Sequence, residues 1–284
     1  MTAAPTSTEE EEHTMTTTEL TLPIDQPAFT SSTSGRRRTL PPVLGSEWIK
    51  ATTVRANKRL VAVAVVICLL TSWSTAVFLT DHDLTVMDVF MGPTLLTAVL
   101  AVIAGVLLFT TEVQHGTLAG SLAAHPSRSP VVAAKAVTAI SFGLLLGMAG
   151  MAAGFVGALA GGIEIGDTSG VATRVFWGLL YTVGSALLGL GVGMVVRHSA
   201  GAVSGVLVWW LVVESLVVQF APPEAVRFVP FDTGYRTLGV ESEFDIPEVV
   251  AAGLSNPLHA SIFWAYVVAA LAIGTVLVHR RDVD

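Results

Sequence analysis

Residues 88–111 read DVFMGPTLLTAVLAVIAGVLLFTT, and after Asp88 they carry no charged side chain. Crossing ~30 Å of hydrocarbon at a helical rise of ~1.5 Å per residue takes ~20 predominantly apolar residues. This stretch meets that requirement alone. Working outward, residues 60–80, 131–161, 174–196, 201–221 and 260–279 meet it too. The pattern predicts an all-α, polytopic membrane protein with six transmembrane helices. A cytoplasmic interfacial helix is expected before the first span, and a second short helix between the second and third.

Composition agrees with that class. Charged residues make up 13% of the chain, against roughly 25% in soluble domains, and the mean hydropathy is +0.68. The net charge of −7 comes from the N-terminal tail and from segments expected outside. A basic patch interleaved with aromatics is absent, which gives no support to nucleic-acid binding. The single cysteine, Cys68, sits in an apolar run and reads as a small buried hydrophobe. Three lysines against twelve arginines, with abundant Ala, Val and Gly, point to a bacterial source and a plasma-membrane location.

Residues 1–41 are rich in Thr, Ser, Glu and Pro, with an acidic run at 9–12 and a basic run at 36–38. No apolar period runs through them, so they read as a disordered cytoplasmic tail. Residues 42–59 contain SEWIKATTVRANKR (46–59), too polar to cross and suited to an interfacial amphipathic helix, with the plain positive flank of the first span as the alternative. Residues 60–284 form the transmembrane domain. Lysine and arginine set its direction. With the N-terminus inside, twelve basic residues lie inside and only Arg174, Arg227 and Arg236 lie outside. Both termini are then cytoplasmic. An external segment covers about 221–260, whose Phe228, Phe231, Tyr235 and Leu238 are too apolar for a free loop. Glycines at four-residue spacing, from Gly143/Gly147 to Gly201/Gly205, permit close helix approach, inside one subunit or between subunits.

Several chemistries lack their residues. The chain has no G-x-x-x-x-G-K-[ST] phosphate loop, no H-E-x-x-H helix and no C-x-x-C pair. The Asp81–His82–Asp83 triplet reads as a polar turn. No metal site, no cofactor and no catalytic residue is expected, and the chain does not read as an enzyme.

The informative connection is TEVQHGTLAGSLAAHPSRSP, residues 111–130, between the second and third spans on the expected inner side. Leu118 and Leu122 share one face of a short helix that Pro126 and Pro130 would terminate. Such a helix, held at the membrane surface by two spans, suits docking of a soluble partner. Here the chain resembles the ABC-2 type permeases, the membrane subunits of ATP-binding-cassette exporters. Glu112, Gly116 and Thr117 match the family's E-x-x-x-G-T signature at its coupling helix. SEWIKATTVR at 46–55, RHSAGAVSGVLVWWLVVE at 197–214 and HRRDV at 279–283 are similar to three further family segments, in order.

The resemblance implies a half-transporter in the lipid bilayer, paired with an identical or related permease subunit and driven by separate ATPase subunits that hold ATP and Mg. A coupling helix at about 112–125, with Glu112, Gly116, Thr117, Leu118 and Leu122, would take the ATPase. Glu112 would accept hydrogen bonds at that helix's start. Glu214, the one acid within a span, either lines the translocation path or makes a structural hydrogen bond or ion pair, Arg174 being the candidate cation. The rival function is a non-transporting regulatory or immunity membrane subunit that binds partners through its tail and external segment. An intramembrane enzyme would require paired catalytic residues within spans.

Overall fold

The computed structural model describes residues 55–79, 84–117, 129–239 and 253–280, and among these every regular element is a helix. The tail, residues 42–54, the 81–83 triplet, Leu118, Leu122 and the rest of 118–128, residues 240–252 and the last four residues lie outside them. In chain order the elements are α1 (Arg55–Phe78), α2 (Val86–Val89), α3 (Thr94–Gln114), α4 (Ser129–Ala160), α5 (Val171–Val196) and α6 (Ser199–Val208). A π-helical stretch, Trp209–Glu214, joins α6 to α7 (Ser215–Phe220). Then come α8 (Pro223–Val226), α9 (Pro230–Arg236) and α10 (Asn256–Arg280).

Six segments are long and apolar enough to cross a membrane: Lys58–Phe78, Val86–Gln114, Ser129–Ala160, Val171–Val196, Ser199–Phe220 and Asn256–Arg280. The chain is a multi-pass, all-α membrane protein. The expected spans agree with these to within a few residues, and each difference has a local cause. Among the described residues α1 runs without a break from Arg55 to Phe78, so residues 55–59 continue into the first span, while the rest of the expected interfacial helix, 42–54, lies outside the described residues. Arg55, Ala56, Lys58 and Arg59 are good helix formers with no Gly or Pro to stop them. The second span is broken near its start. Thr85 opens α2, its backbone N–H and hydroxyl donating to Asp88 Oδ2 at 3.0 and 2.6 Å. Gly92 and Pro93 then interrupt the ladder, since proline lacks the N–H that would reach back four residues. At 32 residues, α4 is ~48 Å long, well beyond the hydrocarbon thickness.

Helix α5 is the hub. Along its apolar stretch 72% of residues are buried, against 22% in the spans of α1, α6 and α10. It packs on α3, α4 and α10, while α1 packs on α4. Lipid supplies little hydrophobic drive for such association, so close backbone approach decides it. A Cβ on Gly105 of α3 would stand 1.9 Å from the Ala186 carbonyl oxygen, and one on Gly189 of α5 would stand 2.1 Å from that of Val102. Helices α3 and α5 therefore cross backbone to backbone. Gly205 differs, with no atom within 4 Å of where its Cβ would be.

The helix ends sort into two groups. At one end lie the C-termini of α3, α5 and α10 with the N-termini of α4 and α6. Ser199 of α6 donates to Gln114 Oε1 (2.7 Å) and lies 2.8 Å from Thr110 Oγ1. Ser129 of α4 meets His279 Nε2 of α10 at 3.2 Å. The expected tight α5–α6 joint is two residues long, with Arg197 left-handed (φ 59) and His198 Nδ1 accepting from Gly201 N–H at 3.1 Å. At the other end, α8 and α9 fold back over the bundle, α9 against α10, so this apolar segment does pack on the helix ends. Cys68 is fully buried.

Candidate functional site

The E-V-Q-H-G-T residues occupy the corner where α3 ends. Helix α3 runs on through Glu112 to Gln114, and His115 closes it with its N–H on the Thr111 carbonyl at 3.0 Å. Gly116 follows in the left-handed region (φ 67), its N–H on Val113 O at 3.2 Å. A non-glycine residue is disfavoured there, and glycine is the usual residue just past a helix end. Thr117 Oγ1 donates back to the Glu112 carbonyl at 3.3 Å. The signature thus spells the end of a membrane helix.

That placement corrects the expectation for Glu112. It does not open a helix, because α3 runs on past it to Gln114. It stands in the last turn of α3, its Oε2 2.8 Å from Lys135 Nζ on α4. The Lys135 side chain is 1% exposed and that of Glu112 13%. Lys135 Nζ also donates to Leu108 O, one turn back on α3, at 3.2 Å. An ammonium buried this far is costly unless an opposite charge and hydrogen bonds receive it, which is why a carboxylate stands opposite. Counted by the distribution of basic residues, Lys135 is only one more inside charge. The signal was present in the chain: a lone lysine inside a span, with the nearest acid at the end of the preceding one. Gly116 and Thr117 sit beside this pair, while Leu118 and Leu122 lie outside the described residues.

The second candidate, Glu214, is at the opposite end and is 3% exposed. Its Oε1 accepts from Trp209 Nε1 at 3.0 Å and from Phe231 N–H at 3.2 Å. Its Oε2 accepts from Phe231 N–H at 3.1 Å and Asp232 N–H at 3.0 Å. Helix α9 starts at Pro230, which has no N–H, so Phe231 and Asp232 carry its first free donors. Val229 at the N-cap has no side-chain acceptor, and Glu214 supplies one from seventeen residues away.

The π-helical stretch makes this reach work. On an α-helix, residues 209 and 214 would point ~140° apart at 3.6 residues per turn. The wider turn puts Trp209 and Glu214 on one face. Trp210 meanwhile stacks on Phe231 (4.1 Å, 6°), and Tyr181 OH donates to the Phe231 carbonyl at 3.3 Å. Arg174 is not the partner of Glu214, for its Nη1 donates to Met87 O at 3.0 Å. An apolar groove of about 450 Å³ runs between α5, α6 and α10. Trp209 and Phe231, both bonded to Glu214, line it, and Glu214 does not.

The two candidates are therefore separate: a charged pair between the end of α3 and α4, and a carboxyl group that caps the folded-back segment. No group of three or more His, Cys, Asp and Glu able to hold a metal ion occurs among the described residues. No family model matches the chain, and no curated protein matches it.

Proposed function

We propose that this chain is the membrane permease subunit of an ATP-binding-cassette exporter, driven through the connection between α3 and α4 by an ATPase on a separate chain. The single observation that carries the reading is how E-V-Q-H-G-T is built. It ends a long apolar helix on a left-handed glycine, beside a buried ion pair to the next helix. A lever needs that: a connection whose two ends move with the bundle. The chain itself has no phosphate loop, so the energy source is placed on a partner. ATP and Mg belong to that partner, and a second permease copy or a related chain completes the path. The connection faces the cytoplasm by the distribution of basic residues.

The test is purification of the full chain from its native membrane after mild crosslinking, with mass spectrometry of what comes with it. A nucleotide-binding-cassette ATPase in stoichiometric amount, whose hydrolysis changes on reconstitution with the chain, is the expected result. Recovery of the intact chain with no ATPase at any step refutes the proposal and favours the regulatory alternative.

A further inference from the structure

We propose that Lys135 is a positioning residue: acting through Glu112, it sets the direction in which the α3–α4 connection leaves the membrane bundle. This rests on the reading of that connection as the point of drive, and it changes the part Glu112 plays. The signature glutamate is turned toward α4, where it meets Lys135, and aims the connection.

The geometry carries the argument in three steps. Lys135 Nζ holds α3 at two points one turn apart, Glu112 Oε2 at 2.8 Å and Leu108 O at 3.2 Å. A single contact would leave the last turn free to rotate about its axis, and two contacts along the axis fix both its rotation and its height. The fixed turn then runs directly into Gly116, whose φ of 67 turns the chain out of the helix. Whatever angle α3 has at Glu112 is therefore the angle at which the chain passes through Gly116 to Thr117. Finally, stability alone is a poor reason for such a pair. Buried ion pairs exchanged for well-packed apolar side chains of similar volume often leave a protein equally or more stable. Geometry is what an apolar pair would not supply, because it has no preferred direction.

That difference gives the test. The paired apolar variant Glu112→Leu with Lys135→Met removes both charges together, so neither is left buried alone. The reversal Glu112→Lys with Lys135→Glu restores a pair with opposite sense. In a Cys68→Ala background, spin labels at Ser121 and Arg280 report the direction of the connection by their distance distribution. Melting temperature and the chain's stimulation of hydrolysis by the co-purified ATPase, with ATP and Mg as the only added ligands, are measured on the same samples. The expected result is a melting temperature in the apolar variant within a few degrees of the parent, with a broadened distance distribution and stimulation reduced about tenfold, inside the ~5–150-fold span of typical coupling free energies. The reversal should narrow the distribution again and recover part of the stimulation, the Leu108 contact being lost.

An apolar variant with an unchanged distribution overturns the proposal, whether or not its melting temperature falls. A broadened distribution with full stimulation overturns it too, since direction would then not matter. If the parent chain purifies without an ATPase, the exporter reading fails by itself, and the spin-label arm still decides whether Lys135 sets the connection's direction.

Discussion

Replacing Glu214 by glutamine tests whether this carboxyl group holds the folded-back segment. In the protein it receives three donors: the N–H groups of Phe231 and Asp232 and the indole N–H of Trp209. Glutamine has nearly the same shape but only one acceptor oxygen. If that oxygen faces the α9 backbone, the new NH₂ faces Trp209. If it faces Trp209, the NH₂ faces Asp232. Either way a buried donor loses its acceptor, which costs ~1–3 kcal/mol. At roughly 2–4 °C per kcal/mol for larger domains, the melting temperature should fall by about 2–12 °C. Glu214→Ala strands all three donors and should cost upwards of ~3 kcal/mol. The assay is thermal unfolding of the purified protein in detergent, followed by tryptophan fluorescence, because Trp210 stacked on Phe231 reports when α9 lifts away. A glutamine variant that melts with the parent, with unchanged fluorescence, would refute the cap. Should it also alter substrate-stimulated ATP hydrolysis, Glu214 belongs to the path and not to the cap.

Gly116→Ala should lower stability by ~1 kcal/mol or more, read by the same melting assay, because the left-handed region penalises a Cβ. No atom of the described residues lies within 4 Å of that position, so Gly116→Asn, which tolerates the conformation, should be milder. Gly105→Leu should abolish a monodisperse peak in size-exclusion chromatography, its Cβ falling 1.9 Å from the Ala186 carbonyl. Gly205→Ala, which meets nothing within 4 Å, should run like the parent and melt no lower. For orientation, single cysteines at Ser127 and Ser242 should differ on intact cells: an impermeant thiol reagent should label 242 and spare 127. The reverse pattern overturns the topology.

Much of the fold was legible because a bilayer imposes a length. Apolar runs of twenty or more residues had one available reading, and the chain has six of them, five free of charge and the fifth in order carrying only Glu214. What local sequence does not encode is the partner of each polar group. Nothing in VVES announces that Glu214 would receive Phe231 and Asp232, since that pairing depends on how α8 and α9 fold back. Arg174 was the natural cation for it, yet the carbonyl of Met87 at 3.0 Å takes the guanidinium. The π-helical turn was equally hidden, because its apolar residues would suit an α-helix as well. Lys135 is a different case. A lysine six residues into α4 cannot lie buried without an acid, and the acid one connection earlier is Glu112. That pairing could have been read from burial physics before any coordinates.

The same physics shows what holds the fifth span, Ser199–Phe220, which α6 opens, in the bundle. Of all the spans it shares the lowest burial, 22% with α1 and α10, and Val208, Leu211, Val212 and Leu216 are about half exposed. Apolar faces turned to lipid gain little by packing on protein, so packing alone fixes α6 weakly. Its polar contacts lie near its two ends. Ser199 grips Gln114 and Thr110 of α3 at the start, and Glu214 grips α9 near the finish. Between them the helix walls an apolar groove and widens into the π-helical turn. Helix α3, which Ser199 holds, is also the helix that Lys135 fixes through Glu112. The two candidate sites, at opposite ends of the bundle, are thus joined by one lightly packed helix tied at each end by hydrogen bonds.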